Sequence, residues 1–134
     1  MLEVTADSNI YISALVFAGQ FLNAARGGVF SLTVSDALLD EIHRVLWDKF
    51  KWSKEALDAA AANLADFTRR VHPTRTIDAV LADPDDNRVL ECAVAAGSRF
   101  IVTGDNDLLR LGSYAEIQIV KAADFLELIR PAMP

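Results

Sequence analysis

Short apolar runs alternate along this chain with longer stretches whose apolar residues return every third or fourth position. The first run, Leu2 to Ala6, contains β-branched Val4 and Thr5 and predicts a strand. Ile10 to Arg26 has helical spacing, interrupted near Gly19 and ended by Gly27-Gly28. Phe30 to Val34 alternates and is β-rich, which predicts a second strand. Ser35 offers an N-cap, and a helix is expected over Asp36 to Lys49 with Leu38, Leu39, Ile42, Val45 and Leu46 as its apolar set. Lys54 to Arg70 predicts another helix, with Leu57, Ala60, Ala61, Leu64 and Phe67 on one face. These two helices are close enough in sequence to form an antiparallel hairpin. A short strand is expected over Val71 to Thr76 around Pro73, then a helix over Pro84 to Ala96 closed by Gly97. Phe100 to Val102 and Ile117 to Val120 read as strands, and Ala122 to Arg130 as a last helix ended by Pro131. Strands that alternate with helices imply βαβ units, hence an α/β fold with a mainly parallel sheet.

The 134 residues suit a single domain spanning 1–134. Hydrophobic residues make up 52% of the chain, which provides for a core and argues against disorder. No apolar stretch reaches the ~18 residues of a spanning helix, and the N-terminus lacks the basic and apolar regions of a secretory signal. Cys92 stands alone, so neither an intramolecular disulfide nor a cysteine metal knuckle is available. A cytoplasmic protein with no membrane partner is the expectation. The net charge of −6 and a pI near 4.8 argue against a broad polyanion-binding surface. That argument weakens if four acids share one metal site, because bound divalent cations would cancel their charge and leave the remaining surface close to neutral.

The placement of the acids gives that possibility substance. Asp7 follows the strand 2–6, and Asp105 follows the strand 100–102 across Thr103-Gly104. In an open parallel sheet, ligands gather beyond the carboxyl ends of the strands, so both carboxylates are expected in one crevice. Asp7 alone, with Ser8 and Asn9 after it, would as readily be a helix N-cap. Glu41 lies beside the apolar stripe of the helix 36–49, one turn in from its start; by itself it reads as a solvated boundary residue. Asp83-Pro84-Asp85-Asp86 suits a helix start and its dipole without any further role. Helical phase separates these three acids. Asp86 shares a face with Val89, Leu90, Ala93 and Gly97, whereas Asp83 reads as the cap and Asp85 falls with Arg88 and Cys92. A carboxylate aimed along a buried face needs a partner, and acids with nothing basic nearby need a cation. Asp107 reads as the cap of a short helix over Leu108 to Leu111, with a weaker role as supporting ligand. A divalent metal performing phosphodiester chemistry accounts for this set.

With these residues in view, the sequence resembles the PIN domain family, and within it the VapC-like toxin ribonucleases of toxin–antitoxin operons. The resemblance is carried by Asp7-Ser-Asn9 with Tyr11 to Leu15, by Ser35 with Leu38 and Glu41-Ile42, by Asp83 to Ala93, and by Ile101 to Leu109. It implies a three-layer α/β/α fold and an acidic quartet of Asp7, Glu41, Asp86 and Asp105 that is both catalytic and metal-binding. Asn9, Ser35 and Thr103 match the polar support around the quartet. It further implies Mg²⁺ or Mn²⁺, cleavage of single-stranded RNA, an antitoxin protein as partner, and homodimers.

Hard oxygen ligands suit Mg²⁺ or Mn²⁺, and a metal-activated water removes the need for a nucleophilic side chain. His43 and His72, the only histidines, are therefore expected outside the chemistry. Trp47 to Lys54 interleaves aromatic and basic residues, a pattern that can stack bases but more often marks a helix end with buried aromatics. A groove there would equally receive an antitoxin helix or strand. Two rival classes stand beside the nuclease. A phosphoaspartate-forming receiver or dehalogenase-like phosphatase would use Thr103 and Lys121, but Asn9 stands where a phosphatase needs its second aspartate. A non-catalytic RNA- or protein-binding module of the same fold is the other.

Overall fold

The computed structural model describes residues 1–17 and 19–133. Six strands form one sheet in the order β3-β2-β1-β4-β6-β5. The strands are β1 (Glu3–Ala6), β2 (Ser31–Val34), β3 (Thr68–Arg70), β4 (Phe100–Val102), β5 (Ser113–Tyr114) and β6 (Ile117–Val120). All neighbours are parallel except β5, which pairs antiparallel with β6 at the edge. The helices are α1 (Ser8–Phe17), α2 (Gln20–Arg26), α3 (Asp36–Asp48), α4 (Lys54–Phe67), α5 (Asp86–Ala96), α6 (Asn106–Leu111) and α7 (Ala122–Ile129). A 3₁₀ turn at Arg130–Ala132 contains Pro131 and follows α7 directly. No helix among the described residues is long and apolar enough to cross a membrane.

Side chains alternate across the strands and so divide the interior into two layers. Val4, Ala6, Leu32, Val34 and Val102 meet Tyr11, Phe21, Ile42, Leu46, Leu57, Leu64 and Phe125 from α1, α2, α3, α4 and α7. Phe30 and Phe125 cross edge to face at 5.0 Å in the middle of this layer. On the other face Ile101, Ile117 and Ile119 pack against Leu38, Val89, Leu90, Ala93 and Leu108. The fold is thus the expected three-layer α/β/α arrangement. Thr5 and Thr33, opposite one another in the β1/β2 register, are fully buried. Their hydroxyls bond each other at 2.7 Å, and Thr5 also bonds Ser98 at 2.8 Å, so no polar group is stranded there.

Several boundaries differ from the sequence reading, each for a local reason. The helix expected from Ile10 starts at Ser8, and the interruption expected near Gly19 divides it into α1 and α2, with Gly19 extended and Ala18 outside the described residues. The helix expected to reach Arg70 stops at Phe67, where the Thr68 hydroxyl donates to the Leu64 carbonyl at 2.6 Å. Thr68 to Arg70 then pairs with β2, so the strand falls there and not over 71–76 around Pro73. Residues 83–85 form a turn before α5, which starts at Asp86 and not at Pro84. It ends as expected at Gly97, left-handed at φ 66°. The two-residue strand β5 has no sequence signal of its own, since a pair of residues carries no period. Of the aromatic and basic stretch, Phe50 and Trp52 pack against the core, while Trp47 is exposed.

Candidate active site

The register of β1 on β4 builds the floor of the site. Ala6 stands opposite Val102, so both strands end at the same level, and the Asp7 N–H donates to the Val102 carbonyl at 2.9 Å. Asp7 and Thr103 therefore leave the sheet side by side. The Thr103 hydroxyl donates to Asp7 Oδ2 at 2.8 Å and accepts from the Asp105 N–H at 3.0 Å. One buried hydroxyl thus ties the two strand-end acids together. Asp7 Oδ1 receives longer bonds from the Ser8 hydroxyl at 3.3 Å and the Asn9 N–H at 3.4 Å. Asp105 Oδ1 caps α6 by accepting from the N–H groups of Asp107 and Leu108, at 2.8 and 3.2 Å. The cap of this helix is therefore Asp105 and not Asp107. The Asp107 carboxylate pairs with Arg110 at 3.0 Å, one helical turn on.

Asp86 enters from the opposite side, on the first turn of α5. It is 6% exposed, as its helical phase implies, and its Oδ2 has no hydrogen-bond partner. One oxygen each of Asp83, Asp86 and Asp105 lie within 4.8 Å of one another. Asp83 is in this group, although its place before Pro84 reads only as a helix cap. No side chain caps α5; Asp83 Oδ1 instead accepts from the Asp85 N–H at 3.1 Å, closing a turn that aims its carboxylate at the cluster. The Asp85 side chain points away, 62% exposed and 3.9 Å from Arg44.

Glu41 approaches Asp7 from α3, but it lies outside the group formed by Asp83, Asp86 and Asp105. Ser35 caps α3 through the Leu38 N–H and so fixes the helix that carries Glu41 without reaching the acids itself. Asn9 supports Asp7 through its backbone only, and its residue is exposed. His43 and His72 are exposed and belong to other hollows of the surface.

The electrostatics follow from this crowding. Burial, then the charge of Asp105 and its hydrogen bond, then Asp83 and Asp7, push the Asp86 pKa from 3.8 up to about 8. Burial also raises Asp7, against the hydrogen bonds from Thr103, Asn9 and Ser8, which pull it down. Burial raises Glu41 as well, with Asp7 and Asp85 adding to the rise while Ser8 and Arg44 oppose it.

Residues 3–107, more than three-quarters of the chain, match the family described as the PIN domain. The chain belongs to the PIN domain family. No curated protein matches it. PIN domains are in general nucleases that use divalent metals, so membership supports a nuclease-type hydrolase, and an acidic group is present at the sheet end of this PIN domain.

The residues present fit a hard divalent cation. The donors are carboxylate oxygens, the ligands that Mg²⁺ and Mn²⁺ prefer. Asp86 Oδ2 is buried without a hydrogen bond, and converging carboxylates without a counter-charge repel. A cation answers both demands. Asp83 could have been found from the sequence only through its turn, because its neighbour Pro84 hides it behind an ordinary helix-start pattern.

Proposed function

We propose that this PIN domain is a Mg²⁺- or Mn²⁺-dependent endoribonuclease, the toxin of a type II toxin–antitoxin pair acting in the cytoplasm. The observation that carries the reading is the unpartnered Asp86 Oδ2, buried where Asp105 meets it at the carboxyl end of a parallel sheet. Asp7, Glu41, Asp86 and Asp105 would hold the metal and form the catalytic quartet. When bound, the ion supplies a water acidic enough to attack phosphorus near neutral pH and positive charge for the leaving oxygen. Thr103 keeps Asp7 and Asp105 in fixed relation, and Ser8 and the Asn9 N–H hold the other Asp7 oxygen. These bonds also favour the ionised form of Asp7 against its burial. Glu41, on a separate helix, closes the site from the side of α3.

The antitoxin reading draws on an apolar cleft of about 380 Å³ between α3 and α4, walled by Leu39, Ile42, Leu46, Leu57, Ala61 and Leu64. Such a cleft suits an amphipathic helix of a partner. Homodimers, common among toxins of this type, belong to the same proposal.

The test is cleavage of one structured and one unstructured RNA with Mg²⁺, Mn²⁺ or EDTA, by the wild type and by Asp7→Asn and Asp105→Asn. Cutting of the unstructured RNA is expected only with metal and only in the wild type, with both variants still folded by circular dichroism. Cutting that persists in EDTA, or in both variants, would falsify the mechanism. Growth arrest on expression, relieved by a small protein encoded beside it, tests the toxin role.

A further inference from the structure

We infer that Asp83 is a metal ligand of this site, a fifth carboxylate that holds the cation together with Asp86 and Asp105. The inference rests on the nuclease reading above and changes its ligand set. Among the described residues, the acids with oxygens within 4.8 Å of one another are Asp83, Asp86 and Asp105; Asp7 and Glu41 are not in that group. Asp7 already accepts three hydrogen bonds, from Thr103, Ser8 and the Asn9 N–H. Asp86 Oδ2, in contrast, is buried, accepts nothing, and belongs to the carboxyl that meets Asp83 and Asp105. A buried acceptor without a donor is the observation that points to a ligand beyond the protein.

The turn that Asp83 makes does not require its charge. Its Oδ1 accepts from the Asp85 N–H, and its carbonyl accepts from the Asp86 N–H at 3.1 Å. An asparagine offers the same acceptors and would remove one negative charge from the cluster. As a turn residue alone, aspartate here is the more costly choice, because it faces two other carboxyls. As a cation ligand it is the better one, since a carboxylate binds a hard divalent ion more strongly than an amide. Both roles make asparagine the more stable choice without metal, and only the ligand role makes it gain less from the ion.

The experiment compares wild type, Asp83→Asn, Asp85→Asn and Asp86→Asn by calorimetric titration with Mn²⁺ and by thermal melting in EDTA and in Mn²⁺. Asp83→Asn is expected to weaken Mn²⁺ binding by at least about tenfold, the scale on which even supporting residues of metal sites act. It should also melt higher than wild type in EDTA and gain less from Mn²⁺. Asp85→Asn, whose side chain is exposed, should leave Mn²⁺ binding as in the wild type. Wild-type Mn²⁺ affinity in Asp83→Asn together with loss in Asp86→Asn overturns the role of Asp83 and leaves the nuclease reading standing. Wild-type affinity in Asp83→Asn and Asp86→Asn alike overturns both.

Discussion

Asp86 is a carboxyl held out of water, with one oxygen unbonded and other acids close by. Burial and those acids raise its pKa from 3.8 to about 8 in the metal-free protein. In the unfolded chain the ordinary value applies. Between pH 3.8 and about 8, the folded protein therefore keeps a proton that the unfolded chain has released. Stability from this group is complete below pH 3.8 and is lost as pH rises towards about 8. Melting in EDTA across this range should show a falling transition temperature, and Asp86→Asn should flatten the fall. Raised Asp7 and Glu41 push in the same direction, so some slope survives the substitution. A melting temperature that rises with pH in the wild type would contradict the environment described for Asp86. The identity of Asp86 as the inward acid was legible because helical phase distinguishes it from Asp85. Asp83 was not, because no helical phase applies to a residue in the turn before the helix.

At the scale of elements, the site depends on two strand ends being locked in register. β1 and β4 are adjacent and parallel, and Thr103 bridges the residues that follow them. Thr103→Val keeps the shape of this buried side chain and removes both bonds. It leaves the Asp105 N–H without its acceptor and Asp7 without its shortest donor. The expected cost is about 1–3 kcal/mol of stability, the range for breaking buried polar pairs, measured by urea unfolding. Asp7 loses the hydrogen bond that most opposes its burial, so its pKa should climb further, and metal affinity should fall about 10- to 100-fold. Unchanged stability together with unchanged metal affinity would mean that the bridge holds nothing. The strands that build this pair were readable from apolar runs ended by polar turns, and α3 and α5 from their periodicity and caps. What escaped was set by partners distant in sequence. The segment Thr68 to Arg70 continues the helical pattern of α4. It becomes a strand because β2 offers it a free edge, and Arg69 there reaches Glu3 at 3.2 Å and the Ala96 carbonyl at 2.9 Å. No local pattern announces such contacts.

For the molecule as a whole, the acids of the site come from residue numbers as far apart as 7 and 105, and only the completed sheet unites them. The chain carries 19 acidic and 13 basic residues, so its charge opposes a polyanion before any metal binds. Its cations are also largely engaged. Arg44, Lys54, Arg69, Arg70, Arg88, Arg110 and Arg130 all sit in ion pairs, seven of the 13. Exposed pairs of this kind are weak and can open, but they do not make a continuous basic track for phosphates. For the RNA substrate proposed above, much of the positive charge must then come from the metal itself. RNA affinity should therefore depend on metal even when no bond is cut. Asp7→Asn is the protein for this measurement, since it should be inactive while Asp83, Asp86 and Asp105 remain to hold the ion. Fluorescence anisotropy with a labelled single-stranded RNA should show binding at least about tenfold tighter in Mn²⁺ than in EDTA, and weakened in both by added salt. Equal affinity in the two conditions would place RNA on a surface remote from the acids and would separate substrate capture from the metal.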